Sequence, residues 1–139
     1  MTSDAVRVGV LGCGNVGGAL VSLIALEADA IETRTGIRLE ITRVAVRDLN
    51  KQRPAELDRA LLTPDTMALV TADDVDVVVE IMGVLDPADS LWRAALSAGT
   101  PCGTSNKELL APRVIDPFPD PAGAGRLLAR DPRGRLCRA

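Results

Sequence analysis

The chain has 139 residues, of which 47% are hydrophobic, and this length and composition fit one globular domain. Its net charge is −3, and Trp92 and Phe118 are its only aromatic residues, so it lacks the basic surface and the stacking platforms that nucleic-acid binding requires. The absence of histidine excludes histidine-based catalytic triads and histidine metal ligands within these residues.

Cysteine usage and hydropathy indicate the cellular compartment. The cysteines Cys13, Cys102 and Cys137 are widely spaced and form no C-x-x-C pair, which is typical of a reducing compartment rather than of a disulfide framework. The first residues carry no basic cluster of the kind that opens a signal peptide, and no apolar run has the length of a membrane span. We therefore expect a cytoplasmic protein without membrane or nucleic-acid partners.

The first predicted elements are a buried strand, a tight turn and a helix. Residues 6–11 are mostly Val and Leu, and Gly-x-Gly-x-x-Gly follows them at Gly12, Gly14 and Gly17. In a dinucleotide-binding turn these glycines would respectively make the turn, admit a pyrophosphate, and let the helix pack on the strand. The N–H groups at the helix start would attract phosphate. A purely structural turn is the alternative. The candidate cofactor-binding residues here are Gly12, Gly14, Asn15, Val16 and Gly17.

The helix that follows should cross over to a second, parallel strand. Apolar residues recur at helical spacing to about Glu32, and Gly36 lies where the helix should end. The predicted inward stripe consists of Val16, Leu20, Leu23, Ile24, Ala28 and Ile31. Residues 38–46 are rich in β-branched side chains and are expected to form the second strand.

Arg47 and Asp48 stand at the end of that strand, where such folds contact the adenosine ribose. An acidic residue there would bind the 2′-hydroxyl of NAD, whereas an arginine would bind the 2′-phosphate of NADP. Because both are present, the choice between NADP and NAD stays open. Arg47 is a candidate cofactor-binding residue, and a solvated surface arginine is the alternative interpretation.

The middle of the chain contains a weak helix and a strong strand. Residues 55–62 are predicted as a short helix between two prolines, and residues 74–83 include a buried apolar strand. Glu80 interrupts this strand and must lie at the sheet's carboxyl edge or have a partner, because an unpaired buried charge is costly. Gly83 then opens a loop where ligands of open α/β sheets bind, which makes Gly83 a candidate cofactor-binding residue.

A third crossover follows. Asp86 and Pro87 should begin a helix that ends at Gly99, and residues 100–105 should form a strand, although a poor one. Ser105 or Asn106 would then cap a turn that contains Lys107. The pattern as a whole predicts an α/β fold with a Rossmann-like doubly wound parallel sheet that is incomplete.

Four motifs together resemble the N-terminal cofactor domain of homoserine dehydrogenase, over about residues 5–111. They are Gly-x-Gly-x-Val-Gly, Val-Ala-Val-Arg-Asp, Asp-Val-Asp-Val-Val-Val-Glu-Ile-Met-Gly and Thr-Ser-Asn-Lys-Glu-Leu-Leu-Ala. The resemblance implies interconversion of aspartate 4-semialdehyde and homoserine with NADP or NAD, in threonine and methionine biosynthesis. It also implies a small-molecule substrate, and it places Lys107 near the nicotinamide and the reacting carbonyl, as a catalytic and cofactor-binding residue.

An ammonium group close to the aldehyde oxygen would stabilise the negative charge that reduction creates there, which gives Lys107 a chemical rationale. The alternative is an ordinary surface lysine. Two further hypotheses about the function of the chain stay open: a catalytically silent nucleotide-binding fragment, or another NAD(P)-dependent dehydrogenase of an amino-acid-derived substrate.

The resemblance stops after Ala111. We expect residues 1–111 to form the NAD(P)-binding domain and residues 112–139, rich in proline, arginine and glycine, to form a disordered tail. The family continues there into a substrate and dimerisation domain, so this chain looks truncated or frame-shifted. Surface left open by that missing domain would favour self-association.

Overall fold

Helices cover both faces of a mostly parallel sheet in the computed structural model, which describes residues 5–54, 57–82, 88–104, 127–130 and 136–138. The helices are α1 (Asn15–Thr35), α2 (Thr66–Val70) and α3 (Ala88–Ser97), and a 3₁₀ turn spans Arg59–Leu61. The strands are β1 (Val6–Leu11), β2 (Leu39–Ala45), β3 (Leu62–Thr63), β4 (Val77–Glu80), β5 (Cys102–Thr104), β6 (Leu127–Arg130) and β7 (Leu136–Arg138).

The strand order in the sheet is β3-β2-β1-β4-β5-β6-β7. Strands β1 to β5 pair in parallel, β6 continues in parallel beside β5, and β7 is antiparallel to β6. Successive strands run outward from β1 to β3 on one side, and β4 returns to the other side of β1. The chain therefore changes direction between β1 and β4, which confirms the predicted Rossmann-like α/β fold.

Two apolar clusters, one on each face, hold the helices on the sheet. Val10 and Val44 pack with Val21 of α1 on one face. On the other face Leu11 and Val78 pack with Trp92 of α3, whose side chain is fully buried. Burying a side chain of this size contributes roughly 1.5–3 kcal/mol of folding free energy. The sheet is thus covered on both sides, as near-continuous apolar strands require.

The buried face of α1 differs in part from the predicted stripe. Its buried residues are Gly17, Gly18, Val21 and Ile24, whereas Val16 and Leu23 are 64% and 54% exposed. Gly17 lies against the turn at Gly12, where an added Cβ would be 2.5 Å from the Gly12 carbonyl oxygen, and Gly18 lies against Pro54, where an added Cβ would be 3.3 Å from Cγ. The predicted stripe is thus correct at Ile24 and, less deeply buried, at Leu20, Ala28 and Ile31, and it is wrong at Val16 and Leu23, because an apolar periodicity ignores glycine.

The segment between β2 and β4 also differs from expectation. The predicted helix over residues 55–62 is replaced by the 3₁₀ turn and β3, with residues 55 and 56 outside the described part of the chain. The short helix α2 was not predicted. It begins at Asp65, whose carboxylate accepts a hydrogen bond from the Ala68 N–H at 2.9 Å. An aspartate after Pro64 is a recognisable N-cap residue, but the helix that it begins is too short to be detected from apolar periodicity.

Two short strands, β6 and β7, lie inside the segment that was expected to be disordered. Both contain short apolar runs, Leu127-Leu128-Ala129 and Leu136-Cys137, and β5 offers a sheet edge on which β6 pairs. Composition averaged over the segment hides such short runs. The division of the chain into two parts at Ala111 stays a prediction.

Within the described ranges, no helix has the length and apolar composition of a membrane span.

An ion pair at the amino end of the sheet gives a pH-dependent contribution to stability. Arg7 binds both carboxylate oxygens of Asp76, at 2.8 and 3.0 Å, and lowers the pKa of Asp76 to about 2. A carboxylate with a lowered pKa stabilises the fold above its unfolded pKa, and this contribution is lost as the pH falls through the folded value. We expect Asp76→Asn to lower the free energy of unfolding modestly at pH 7, since both side chains are about 40% exposed.

Urea unfolding of Asp76→Asn and the parent chain between pH 7 and pH 2 checks this expectation. The difference between the two should be constant above about pH 5 and should shrink as Asp76 titrates, below its ordinary pKa of about 3.9. A difference that stays constant down to the lowest pH would show that the carboxylate charge contributes nothing.

Candidate cofactor site

A tight turn at the end of β1 begins the candidate site. Gly12 has a φ of +94°, in the region that residues with a side chain rarely adopt. Its N–H donates to the Ala45 carbonyl at 2.9 Å, and a Cβ added there would lie 3.1 Å from the Ile81 carbonyl oxygen. The turn is therefore enclosed by the ends of β2 and β4, which explains why glycine occupies this position and confirms the predicted turn.

Gly17 and Gly14 differ in what surrounds them. A Cβ added to Gly17 would lie 2.5 Å from the Gly12 carbonyl oxygen, so the first turn of α1 packs directly on the glycine turn. A Cβ added to Gly14 would meet nothing within 4 Å among the described residues. Gly17 serves helix packing, as the sequence predicts, while Gly14 borders open space into which a ligand could fit.

The N-terminus of α1 opens onto that space. Gly14 is the N-cap residue, no side chain caps the helix, and no acidic residue lies in its first turn. Asn15 and Val16 are both exposed there. A helix start leaves several N–H groups without intrahelical partners, and the helix dipole adds a partial positive charge. These features suit an anion such as pyrophosphate.

The loop after β2 presents Arg47 and Asp48 on the surface. Both residues are exposed. The Asp48 carboxylate accepts a hydrogen bond from the Asn50 N–H at 2.8 Å and thereby shapes its own turn. No described residue forms a hydrogen bond or ion pair with the Arg47 side chain. The Asp48 carboxylate thus already accepts one hydrogen bond within the protein, whereas the guanidinium of Arg47 is available to a ligand.

Arg53 is a site residue that the sequence analysis did not single out. Its Nη1 donates to the Cys13 carbonyl at 2.6 Å, and its Nη2 donates to the Asp48 carbonyl at 2.8 Å. The side chain therefore bridges the glycine turn and the loop after β2. Its only sequence signal was a cation shortly after the second strand, since the contact with Cys13 spans 40 residues.

Glu80, at the end of β4, is fully buried and is hydrogen-bonded. Its carboxylate accepts from the Met82 N–H at 2.6 Å and from the Thr104 hydroxyl at 2.5 Å, and so joins the ends of β4 and β5. Both alternatives predicted for Glu80 apply, because it lies at the carboxyl edge of the sheet and has hydrogen-bond partners.

Burial, together with the Glu80 charge, raises the pKa of the Cys102 thiol to about 12. Cys102 is therefore protonated at neutral pH and cannot act as a thiolate nucleophile.

The carboxyl ends of neighbouring strands bring these features to one edge of the sheet. Leu11 of β1 pairs with Ala45 of β2 and with Glu80 of β4, and Glu80 pairs with Thr104 of β5. The candidate residues Gly83 and Lys107 follow β4 and β5 in sequence but lie outside the described residues. Their roles, like those of the other candidate ligands, stay predictions. No group of three or more metal-ligating side chains occurs within the described ranges.

A parallel sheet that changes direction beside a glycine turn, with an uncapped helix start at its carboxyl edge, defines a dinucleotide-binding domain of the Rossmann type. Comparison with known proteins identifies the family. Residues 12–115 match the family described as "Homoserine dehydrogenase, NAD binding domain". The chain belongs to this family of nicotinamide-dinucleotide oxidoreductases.

Individual relatives agree with the family match. The chain is 40% identical to homoserine dehydrogenase of Mycobacterium tuberculosis over 106 residues and 35% identical to that of Bacillus subtilis over 107 residues. These alignments cover 76% and 77% of this chain but only 24% and 25% of the relatives. A crystal structure of Staphylococcus aureus homoserine dehydrogenase superposes with a TM-score of 0.73 at 31% identity, over 80% of this chain and 28% of that one. The chain thus spans about a quarter of the length of its relatives.

Proposed function

We propose that this chain binds NADP(H) or NAD(H) at the carboxyl edge of its sheet. The observation that carries the proposal is the glycine turn: Gly14 borders open space directly in front of an uncapped helix. Backbone N–H groups in such a place bind the pyrophosphate that both cofactors share. The family's description as an NAD-binding domain supports the same conclusion.

The residues present fit the cofactor. Gly12, Gly14, Asn15, Val16 and Gly17 would surround the pyrophosphate. Arg47 would contact the adenosine ribose or its 2′-phosphate, and Gly83 would border the cofactor beyond β4. The bound nicotinamide would donate or accept the hydride. Lys107 would hold the substrate oxygen and stabilise negative charge on it.

We further propose that the reaction served is the interconversion of aspartate 4-semialdehyde and homoserine, a step of threonine and methionine biosynthesis. The names of the relatives support this substrate, since they are homoserine dehydrogenases at 35–40% identity. Because the chain spans about a quarter of their length, a second candidate is a binding fragment without activity. Titrations of the chain with NADPH and with NADH, monitored by nucleotide fluorescence, test the binding step on which both candidates depend.

The exposed Arg47 predicts the cofactor preference. We expect NADP(H) to bind at least as well as NAD(H), because a guanidinium can hold the 2′-phosphate through two parallel hydrogen bonds. Arg47→Ala should then lower the affinity for NADP(H) roughly tenfold and change that for NAD(H) little. Isothermal titration calorimetry with both cofactors measures the two affinities.

Arg34 provides the control for that measurement. It lies in the last turn of α1, at the opposite end of the helix from the glycine turn, and Arg34→Ala removes the same charge. It should change neither affinity by more than about twofold, apart from the small effect of net charge. Equal losses for NADP(H) and NAD(H) in Arg47→Ala would contradict a role in reading the phosphate.

A further inference from the structure

Arg53 connects two loops that are distant in sequence and adjacent in space. Its Nη1 donates a hydrogen bond to the carbonyl of Cys13, which lies inside the glycine turn. Its Nη2 donates to the carbonyl of Asp48, which lies in the loop after β2. These are the loops to which the proposed function assigns the pyrophosphate and the adenosine ribose. One guanidinium therefore links both parts of the surface that would bind adenosine diphosphate.

The backbone beside Arg53 is itself packed against the helix. A Cβ added to Gly18, in the first turn of α1, would lie 3.3 Å from Cγ of Pro54. The proline ring thus contacts α1 immediately after Arg53, and proline restricts the backbone at that point. Arg53 is consequently anchored on the same helix turn whose preceding loop it binds.

The charge of Arg53 has no acidic partner among the described residues. Its two acceptors are neutral carbonyl oxygens, and none of the ion pairs in this part of the chain includes it. Its Nε is buried and has no hydrogen-bond partner within the described ranges. The guanidinium therefore adds uncompensated positive charge beside the start of α1, where the helix dipole has the same sign.

We propose that Arg53 is a positioning residue for the adenosine-diphosphate half of the cofactor. It ties the carbonyl of Cys13 to the carbonyl of Asp48 and so holds both loops in their binding geometry before the ligand arrives. Preorganisation of this kind strengthens binding, because less conformational freedom remains to be lost on association. The assignment rests on the proposed function, and it concerns a group common to NADP(H), NAD(H) and ADP.

Two substitutions separate bridging from charge. Arginine offers donors in a rigid planar fork, whereas lysine carries a compact charge on a flexible stem. Arg53→Lys keeps the positive charge but cannot reproduce the paired contacts with two carbonyls, and Arg53→Gln removes both the charge and the fork. If bridging is the role, both variants lose affinity.

Arg59 supplies a matched control. Its Nη2 donates to the Leu49 carbonyl at 2.6 Å, in the same loop after β2, and within the described ranges it forms no hydrogen bond with the glycine turn. Arg59→Gln therefore removes an arginine-to-carbonyl hydrogen bond and one positive charge without cutting the link between the two loops.

The experiment measures the affinities of the full 139-residue chain and the three variants for ADP, NAD⁺ and NADP⁺ by isothermal titration calorimetry. Both Arg53 variants should bind all three ligands roughly tenfold more weakly, and the ratio of NADP⁺ to NAD⁺ affinity should not change. Arg59→Gln should stay within about twofold of the parent. Far-UV circular dichroism confirms that each variant is folded at the temperature of the titration.

Hydrogen exchange without ligand gives a second readout. The backbone amides of residues 12–17 should exchange faster in both Arg53 variants than in the parent or in Arg59→Gln. Parent-like affinity in Arg53→Gln or in Arg53→Lys would overturn the assignment while leaving the proposed function intact. A parent chain that binds none of the three ligands would overturn the proposed function and, with it, this assignment.

Discussion

Replacing Gly17 with alanine is expected to destabilise the fold and to abolish cofactor binding. The new Cβ would lie 2.5 Å from the Gly12 carbonyl oxygen, which is a backbone atom and cannot move aside by rotating a side chain. Either α1 moves away from β1 or the turn at Gly12 opens. Overpacking of this type costs about 1–3 kcal/mol, and either movement displaces the N–H groups that would bind pyrophosphate.

Gly14→Ala is the matched control, because the same methyl group is added three residues earlier. Gly14 has a φ of −80°, and its added Cβ meets no described atom within 4 Å. We expect only a small decrease in its melting temperature, because alanine is a poorer N-cap residue than glycine but meets no steric obstacle there. Its cofactor affinity should nevertheless fall, because the methyl group would occupy space that the pyrophosphate needs.

Thermal unfolding and cofactor titration of the two variants separate packing from binding. Gly17→Ala should lower both the melting temperature, by several degrees, and the affinity, while Gly14→Ala should lower the affinity with a much smaller decrease in melting temperature. Unchanged affinity in Gly14→Ala would show that no ligand approaches the backbone there. A parent-like melting temperature in Gly17→Ala would contradict the packing of α1 on the glycine turn.

The elements that the sequence predicted correctly are those governed by local chemistry. Gly12 in the turn and Gly36 at the end of α1 both have a positive φ. Glycine adopts this conformation more readily than residues with a side chain, so its position in the sequence predicts where the chain turns. The apolar runs of β1 and β4 predicted buried parallel strands, because a sheet covered on both faces leaves no polar alternation. The Rossmann-like order follows from alternating such strands with crossover helices.

The features that were missed depend on contacts between distant residues. The Arg53 contact with Cys13 spans 40 residues, and that of Glu80 with Thr104 spans 24. Nothing in the local pattern distinguishes such a pair from two unrelated polar residues. The exposure of Val16 and Leu23 on α1 has a related origin, since buried glycines contribute nothing to a hydropathy pattern.

The second large effect concerns catalysis. We expect the 139-residue chain, tested alone, to bind cofactor and yet to show no measurable reduction of aspartate 4-semialdehyde. The pyrophosphate and ribose contacts proposed above lie within the chain, in the glycine turn and the loop after β2, so we expect binding to persist without further residues. The alignments cover only 24% and 25% of these relatives, however, so about three quarters of each relative's length has no aligned residue in this chain.

Enclosure matters because reduction requires the aldehyde to be held close to the nicotinamide in one orientation. Positioning of reactants can lower a barrier by about 7–11 kcal/mol, and its loss would leave turnover below detection. A substrate bound only through Lys107 would also remain in contact with water, which weakens the stabilisation of charge on its oxygen.

Two measurements on the same purified protein test this expectation: cofactor binding followed by nucleotide fluorescence, and NADPH oxidation at saturating aspartate 4-semialdehyde. Binding without oxidation is the expected result. Lys107→Ala is the decisive variant if oxidation is seen, because a contaminating dehydrogenase would leave the rate unchanged. Robust turnover that disappears in Lys107→Ala would show that these 139 residues already enclose the substrate and that Lys107 acts on it without a further domain.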